Sequence, residues 1–184
     1  CTTIRMVSKN TGECSPLGRP LHRHLETLRL QQTRGGARLK ISKDIPAGNI
    51  KVLAISDHDI LLDVELRDTS IDWFYWEFKA EFSESGRYTF RFASPNKIGT
   101  QGPAVSFDEG LTWQWLGAES ARDAQTFFYD ADGRTSPVYF CMGLQYLQRH
   151  FDRFLQAFKT NPFLSVETLC TSRQDRRVEH VIIQ

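Results

Sequence analysis

Residues 73–82 read Trp73-Phe74-Tyr75-Trp76-Glu77-Phe78-Lys79-Ala80-Glu81-Phe82 and hold six aromatic residues. Positions 74, 76, 78, 80 and 82 are apolar, the alternation typical of one face of a β-strand. Aromatic residues are enriched in strands and in sheet cores. The stretch therefore predicts a strand that is buried on both faces. A second interpretation stays open, in which its aromatic rings form a stacking platform for sugars.

Other strand-like runs surround this stretch. Residues 50–55 and 60–66 flank the polar cluster Ser56-Asp57-His58-Asp59, so they predict a hairpin. Gly86 precedes a further alternating run, residues 88–93. Shorter runs follow at residues 103–107, 111–116, 124–129 and 137–142. About eight closely spaced strands with turn signals between them predict an antiparallel β-sandwich over residues 46–142.

The pattern changes at Gly143. Apolar residues then recur at helical spacing, at Leu144, Leu147, Phe151, Phe154, Leu155 and Phe158. This stripe predicts an amphipathic helix of about four turns, which Asn161-Pro162 would end. Two strand-like runs follow, residues 163–170 and 178–183. Because an apolar final strand invites pairing, we expect the chain to continue in the intact protein.

Charge is unevenly distributed along the 184 residues. The net charge is only +1, which gives no reason to expect nucleic acid as a partner, but residues 1–40 hold eight Lys or Arg against two Glu. We interpret residues 1–45 as a basic tail or linker, with an arm that meets an acidic partner as the alternative. No run of about 18 apolar residues occurs, so no membrane span is predicted.

Four cysteines, Cys1, Cys14, Cys141 and Cys170, permit disulfides without implying them. Cys141 and Cys170 lie in apolar runs, where a buried free thiol is the common outcome. A reducing compartment, the cytoplasm, is therefore expected. Cys1 leaves a lipoprotein open as the alternative.

The sequence shows neither a zinc site nor a catalytic nucleophile. Its five histidines are His22, His24, His58, His150 and His180. A catalytic zinc site needs three converging ligands, and no His-Glu-x-x-His motif occurs. Cys14, His22 and His24 form one cluster, which we interpret as solvated side chains of the tail. No Gly-x-Ser-x-Gly elbow is present either. We therefore predict no catalytic residue, no metal ligand and no cofactor in this chain.

The sharpest local motif is Ser106-Phe107-Asp108-Glu109-Gly110-Leu111-Thr112-Trp113, which resembles an Asp-box. Asp108 is expected to bond nearby backbone amides, Gly110 to take a positive φ, and Trp113 to pack beneath the turn. Asp-boxes recur once per blade in glycan-acting propellers, whereas this chain holds one copy. A structural hairpin is thus favoured over glycan binding.

Three stretches carry a family resemblance that covers residues 46–184. The first is Leu66-Arg67-Asp68-Thr69 followed by residues 72–78, and the second runs from Asn96-Lys97-Ile98-Gly99 through Gly102-Pro103-Ala104-Val105-Ser106 to Gly117. The third is Val138-Tyr139-Phe140-Cys141-Met142 with Tyr146-Leu147, Glu167-Thr168-Leu169-Cys170 and Val178-Glu179. In this order they resemble the amino-terminal region of bacterial and cytosolic-type zinc metallocarboxypeptidases. Gln145 departs from the family, which usually has proline there.

The resemblance implies a non-catalytic β-sandwich that precedes an α/β catalytic domain, of which residues 143–184 would be the helix and the first strands. It places the zinc ligands and the catalytic glutamate beyond this chain, so zinc is expected only in the catalytic domain, the partner in cis. Possible interdomain contacts are Asn96, Gly99, Gly102 and Tyr146. Such an accessory domain predicts a buried Trp113 and an unpaired apolar edge at residues 178–183.

Two other functions stay open. A carbohydrate-binding module predicts an exposed row of Trp73, Trp76 or Trp115. An independent hydrolase is less favoured, because no convergent set of acid, base and nucleophile is visible.

Overall fold

The computed structural model describes residues 38–67, 69–133 and 136–184. The predictions on Cys1, Cys14, His22, His24 and the basic arm lie outside these described residues.

Nine strands precede the helix in the described part of the chain, where about eight were predicted. They are β1 (Leu39–Ser42), β2 (Lys51–Ser56), β3 (Asp59–Asp63), β4 (Glu77–Phe82), β5 (Ser85–Phe92), β6 (Ala104–Ser106), β7 (Gln114–Trp115), β8 (Thr126–Asp132) and β9 (Val138–Cys141). A short 3₁₀ turn, Ala118–Ser120, separates β7 from β8. Helix α1 (Gln148–Ala157) and strands β10 (Leu164–Thr171) and β11 (Arg177–Ile183) follow. The predicted mainly β class with one helix is thereby confirmed.

The strands form three sheets. One has the order β1-β4-β9-β6-β7, a second has the order β2-β3-β5-β8, and β10 pairs with β11 in a third. The predicted hairpin of β2 and β3 is present, with Ser56 opposite Asp59. All pairs are antiparallel except β3 with β5, where Ile60 lies opposite Phe90. The prediction of a purely antiparallel arrangement is wrong at that pair, because β4, between them in sequence, belongs to the other sheet.

Aromatic rings from the five-stranded and four-stranded sheets meet in one core. Phe90 of β5 lies 5.6 Å from both Phe78 of β4 and Phe140 of β9, measured between ring centroids. Phe90 also stacks on Phe127 of β8 at 4.8 Å. All four side chains are fully buried. Because large aromatic groups remove the most apolar area from water, this cluster is the main source of stability for the fold.

Two strand predictions need correction. β1 lies inside the predicted tail 1–45 and pairs with β4, Leu39 opposite Phe82. Its four residues are too few to show alternation by themselves, so only pairing reveals it. Residues 73–76, in turn, are not part of β4: Trp73 is 47% and Phe74 51% exposed, whereas Trp76 is fully buried. Burial on both faces is limited to Trp76, Glu77 and Phe78, because Lys79 and Glu81 on the second face of β4 are partly exposed.

Helix α1 is shorter than predicted, with Leu147 as its N-cap residue. Residues 144–147, where the apolar stripe begins, therefore lie outside the helix. Gln145, two residues before Leu147, donates a hydrogen bond from Nε2 to Oη of Tyr75, at 2.6 Å. No residue of α1 is buried, and Phe154 is 41% exposed.

Among the described residues, no helix has both the length and the apolar character needed to cross a membrane.

Candidate functional site

The Asp-box-like turn between β6 and β7 is organised around Asp108. Its Oδ1 accepts hydrogen bonds from the amides of Leu111 and Thr112 at 3.0 and 2.8 Å, and its Oδ2 accepts one from the Thr112 hydroxyl at 2.7 Å. Ser106 donates to Asp108 at 2.8 Å and accepts from the Gly110 amide at 2.8 Å. Burial tends to raise the pKa of Asp108, but the hydrogen bonds from Thr112, Ser106 and Leu111 outweigh it and lower the pKa to about 2.

Gly110 has a φ of +77°, and a Cβ there would lie 2.7 Å from the Arg149 guanidinium. The indole of Trp113 is half-buried and donates to the Gly110 carbonyl at 3.1 Å. The predicted full burial of Trp113 is thus not observed, because the indole closes over its own turn at the end of the sheet.

The Asp-box-like turn also holds the start of α1. The Arg149 guanidinium donates to the carbonyl of Glu109, and Nε2 of His150 lies 3.1 Å from the carbonyl of Gly110. Nδ1 of His150 accepts a hydrogen bond from the Leu147 amide at 2.8 Å. One neutral tautomer, with its hydrogen on Nε2, satisfies both contacts. The imidazole thereby caps the helix, where Leu147 has no polar side chain of its own.

Lys97 anchors the segment that precedes β4. Its side chain is 1% exposed, and Nζ donates to Asp72 Oδ1 at 2.7 Å and to the Trp73 carbonyl at 3.0 Å. The Lys97 carbonyl accepts from the Trp76 indole at 2.7 Å. These contacts present Trp73 and Phe74 at the surface, with ring centroids 4.8 Å apart. We call Ile71, Trp73 and Phe74, all exposed, the aromatic shelf.

A buried polar group lies between the shelf and α1. Glu77 is 1% exposed, and Oε2 lies 2.8 Å from Oη of Tyr75. Its register partner in β9 is Cys141, which is fully buried. Burial raises the pKa of Glu77 to about 7, although the Tyr75 hydroxyl and the charge of Arg149 act in the opposite direction. Burial likewise raises the pKa of the Cys141 thiol to about 11.

An open cleft of about 1740 Å³ lies between residues 45–48, the start of α1 and the β10–β11 turn. Five arginines line it, accompanied by two acids, Asp152 and Glu179. The ion pairs within the described ranges involve none of these arginines. The cleft is therefore cationic. Its arginines are Arg67, Arg149, Arg173, Arg176 and Arg177.

The four predicted interdomain contacts differ in exposure, and two of them are joined by a hydrogen bond from the Gly102 amide to the Gly99 carbonyl at 3.1 Å. Asn96 and Gly99 are exposed in the loop that holds Lys97, with Asn96 at a φ of +57°. Gly102 is buried, and a Cβ there would lie 2.5 Å from the Gly117 carbonyl, which makes it a packing position. Tyr146 is 67% exposed and stacks on His150, at 5.3 Å between ring centroids.

α1 and the β10–β11 hairpin expose much of their apolar surface. Phe158 is 43%, Leu169 66% and Ile183 78% exposed. Within the described part of the chain, β11 pairs only with β10. Cys170 is exposed, so the prediction of a buried thiol is wrong there, because both faces of the hairpin are open. Cys141 is a buried free thiol, as predicted.

Across residues 38–67, 69–133 and 136–184, no three His, Cys, Asp or Glu side chains lie close enough to hold a metal ion. The donor set that a zinc site needs is not assembled by these residues.

No protein-family model matches the sequence, and a comparison with curated protein sequences finds no match. Solved structures do match. A metallo-carboxypeptidase from Burkholderia cenocepacia aligns with 78% of this chain at 21% identity and a TM-score of 0.62. One from Pseudomonas aeruginosa, in complex with (2-guanidinoethylmercapto)succinic acid, aligns with 77% at 24% identity and a TM-score of 0.61. The match spans only 39% of either relative. The likeness to part of a metallo-carboxypeptidase is confirmed for the fold.

Lys97 and Glu77 are the two residues that sequence reasoning missed. A lysine or glutamate is almost never fully buried unless it is paired. The available signal was a charged residue directly between two large aromatic residues, as Glu77 is between Trp76 and Phe78.

Proposed function

We propose that this chain is a non-catalytic amino-terminal accessory domain of a zinc carboxypeptidase-like protein. In this proposal the β-sandwich predicted over residues 46–142, extended by β1, packs on a catalytic domain and shapes access to its cleft. Residues 143–184 begin the catalytic domain, and the zinc ligands lie elsewhere in the longer protein. The likeness in fold to 39% of a metallo-carboxypeptidase supports it.

The uncovered apolar surface of α1 and the β10–β11 hairpin is the main support for this proposal. A ten-residue helix and a two-stranded sheet are each marginal in water without a partner. Their exposed residues, among them Phe154, Leu169 and Ile183, supply the apolar area that a covering domain would bury. The adjacent cleft offers five arginines, so the covering surface is expected to present acids there.

Sequencing the gene beyond the codon for Gln184 is the first test. An open frame that continues into a His-x-x-Glu motif and a later histidine supports the proposal. A stop codon directly after Gln184 overturns it, because no catalytic domain would then follow in cis.

A binding experiment tests the surface itself. The downstream part, produced as a separate protein, is titrated with the 184-residue chain by calorimetry. Phe163→Glu, beside the hairpin, is expected to weaken binding at least tenfold, because it places a charge in the covered surface. Phe107→Glu is the matched control, since Phe107 is 58% and Phe163 64% exposed. Equal loss in both variants would contradict the assignment of the surface.

The aromatic shelf favours a second candidate, a carbohydrate-binding module. Trp73 and Phe74 are stacked and half-exposed, and the Lys97 contacts hold them in place. Trp76 does not join them, because it is fully buried in the core. Oligosaccharides titrated against tryptophan fluorescence test this candidate. Trp73→Ala should abolish a response that Trp115→Ala, at a residue 40% exposed, retains. An unresponsive wild-type chain would eliminate the candidate.

A further inference from the structure

Glu77 presents a carboxyl group that water barely reaches. It lies at the start of β4 and is 1% exposed. A buried carboxylate is costly unless a cation and several hydrogen bonds compensate for the lost hydration. The Glu77 contacts therefore decide whether the group is an anion or a neutral acid.

The hydrogen bonds of the Tyr75 hydroxyl indicate which protonation state of Glu77 fits the structure. Oη lies 2.8 Å from Glu77 Oε2, 2.9 Å from the Ala47 carbonyl and 2.6 Å from Nε2 of Gln145. The Gln145 amide donates, whereas the Ala47 carbonyl accepts. A phenol has one hydrogen to give. An ionised Glu77 would compete with Ala47 for that hydrogen, and one acceptor would be left without it.

A protonated Glu77 removes the conflict. Its own O–H donates to Oη of Tyr75, and the phenol hydrogen is then free for the Ala47 carbonyl. Oη accepts from Glu77 and from Gln145, which uses both of its lone pairs. Each short contact then has one donor and one acceptor. The cluster connects residues 45–48, β4 and the segment that enters α1.

We infer that Glu77 is a neutral carboxylic acid whose proton completes this cluster, and that loss of the proton loosens the attachment of α1 to the five-stranded sheet. The inference is independent of the proposed function, because it concerns contacts within the described residues alone.

The titratable and charged groups around Glu77 are Tyr75, Tyr139, Cys141 and Arg149. Burial raises the pKa of both tyrosines and of the thiol, so these three are uncharged near neutral pH. Arg149 is the cation. Its guanidinium donates to the Glu109 carbonyl, and its Nε–H is buried without a partner among the described residues. An ionised Glu77 would attract Arg149 away from the Asp-box-like turn that holds α1.

The sign of the pH effect follows from the raised pKa of Glu77, about 7 against 4.5. The folded chain holds the proton between these values, whereas the unfolded chain has released it. Stability from this group is fully present below the unfolded value and is lost as pH rises through the folded one. The unfolding equilibrium constant is expected to rise by about two orders of magnitude across this interval from Glu77 alone.

Urea unfolding of the 184-residue chain at pH 5 and pH 8 tests the inference with Glu77→Gln. The glutamine amide also donates to Tyr75 but cannot ionise. The variant should match the wild type at pH 5 and exceed its stability at pH 8, by about tenfold or more in the unfolding constant. Glu81→Gln, on the same strand but paired with Lys79 and Lys40, is the control and should retain the wild-type pH dependence. A Glu77→Gln profile parallel to that of the wild type overturns the inference.

Two measurements on the wild-type chain test the protonation of Glu77 and the loosening of α1 without any variant. Carbon NMR of the Glu77 carboxyl should give a midpoint near 7, and a midpoint near 4.5 overturns the neutral acid. Hydrogen exchange of the α1 amides, compared with β5 amides to correct for the intrinsic pH dependence of exchange, should show lost protection as Glu77 ionises. Protection of α1 that stays constant through the titration overturns the loosening.

Discussion

Residues 38–142 and residues 143–184 both place apolar residues at the spacing of strands or helices, but only the first region buries them. Every buried residue in the described ranges lies between Leu39 and Cys141. In the second region α1 has an apolar stripe and the hairpin has apolar residues on both faces, yet none is buried. Periodicity identifies the face of an element that favours burial. It does not say which part of a protein covers that face.

The largest effect on stability is expected from a substitution in the aromatic core of the first region. Phe140→Ala removes a ring that contacts Phe78 and Phe90 from both sheets. We expect a loss of about 3–5 kcal/mol in the free energy of unfolding, because a cavity remains. Phe154→Ala in α1 should cost less than about 1 kcal/mol, since that ring is already 41% exposed. Urea unfolding measures both, and equal losses would remove the distinction between the regions.

Lys97→Met tests a buried ion pair within the first region. The buried ammonium makes charge-assisted hydrogen bonds to Asp72 and to the Trp73 carbonyl, and methionine keeps the bulk without them. We expect a loss of about 2 kcal/mol and greater mobility of Trp73, measured by fluorescence anisotropy. Lys79→Met, at a residue 24% exposed and 3.5 Å from Glu81, serves as the control with a change below about 1 kcal/mol. An unchanged anisotropy in Lys97→Met would show that the shelf has other anchors.

Asp108→Asn tests the turn that joins the two regions. The substitution weakens the acceptor of several short bonds, and we expect about 1–2 kcal/mol of destabilisation at pH 7. Because folding lowers the pKa of Asp108 from 3.8 to about 2, the stabilisation that its carboxylate contributes is present above pH 3.8. It is lost as the pH falls from 3.8 towards 2. The difference between wild type and variant in acid unfolding should therefore disappear at low pH. A difference that persists at pH 2 would contradict the assigned role of the carboxylate.

Leu169→Ser gives the smallest expected effect. The residue is 66% exposed on β10, so the unfolding free energy should change by no more than about 0.5 kcal/mol. Denaturant unfolding measures it, with Leu53→Ser on β2, 51% exposed, as the matched control. A loss above 1 kcal/mol for Leu169→Ser alone would show that the hairpin is packed after all.

The sequence predicted features whose contacts are local. The bonds of the Asp-box-like turn join residues four positions apart or fewer, so Asp108 and Gly110 were recognisable from spacing alone. The strands β2, β3 and β5 were visible because alternation is itself a local property.

Features that depend on distant residues were not predictable. Gln145 and Tyr75, which form a hydrogen bond just before α1 begins, are 70 positions apart. Burial of Lys97 depends on Asp72, 25 positions earlier. β1 is too short to be recognised without its partner β4, and the parallel pairing of β3 with β5 follows from which sheet receives β4. Each of these is set by tertiary packing, which overrides local propensity.

The strand order of the five-stranded sheet has a consequence for synthesis on the ribosome. β9 lies at its centre, joining the β1–β4 pair to the β6–β7 pair, yet it is the last of the five to be made. Until Cys141 has left the exit tunnel, the two pairs have no backbone connection across the sheet. Contacts of such long sequence separation slow folding, so the edges of β4 and β6 that face each other stay open in the nascent chain until β9 pairs with both of them.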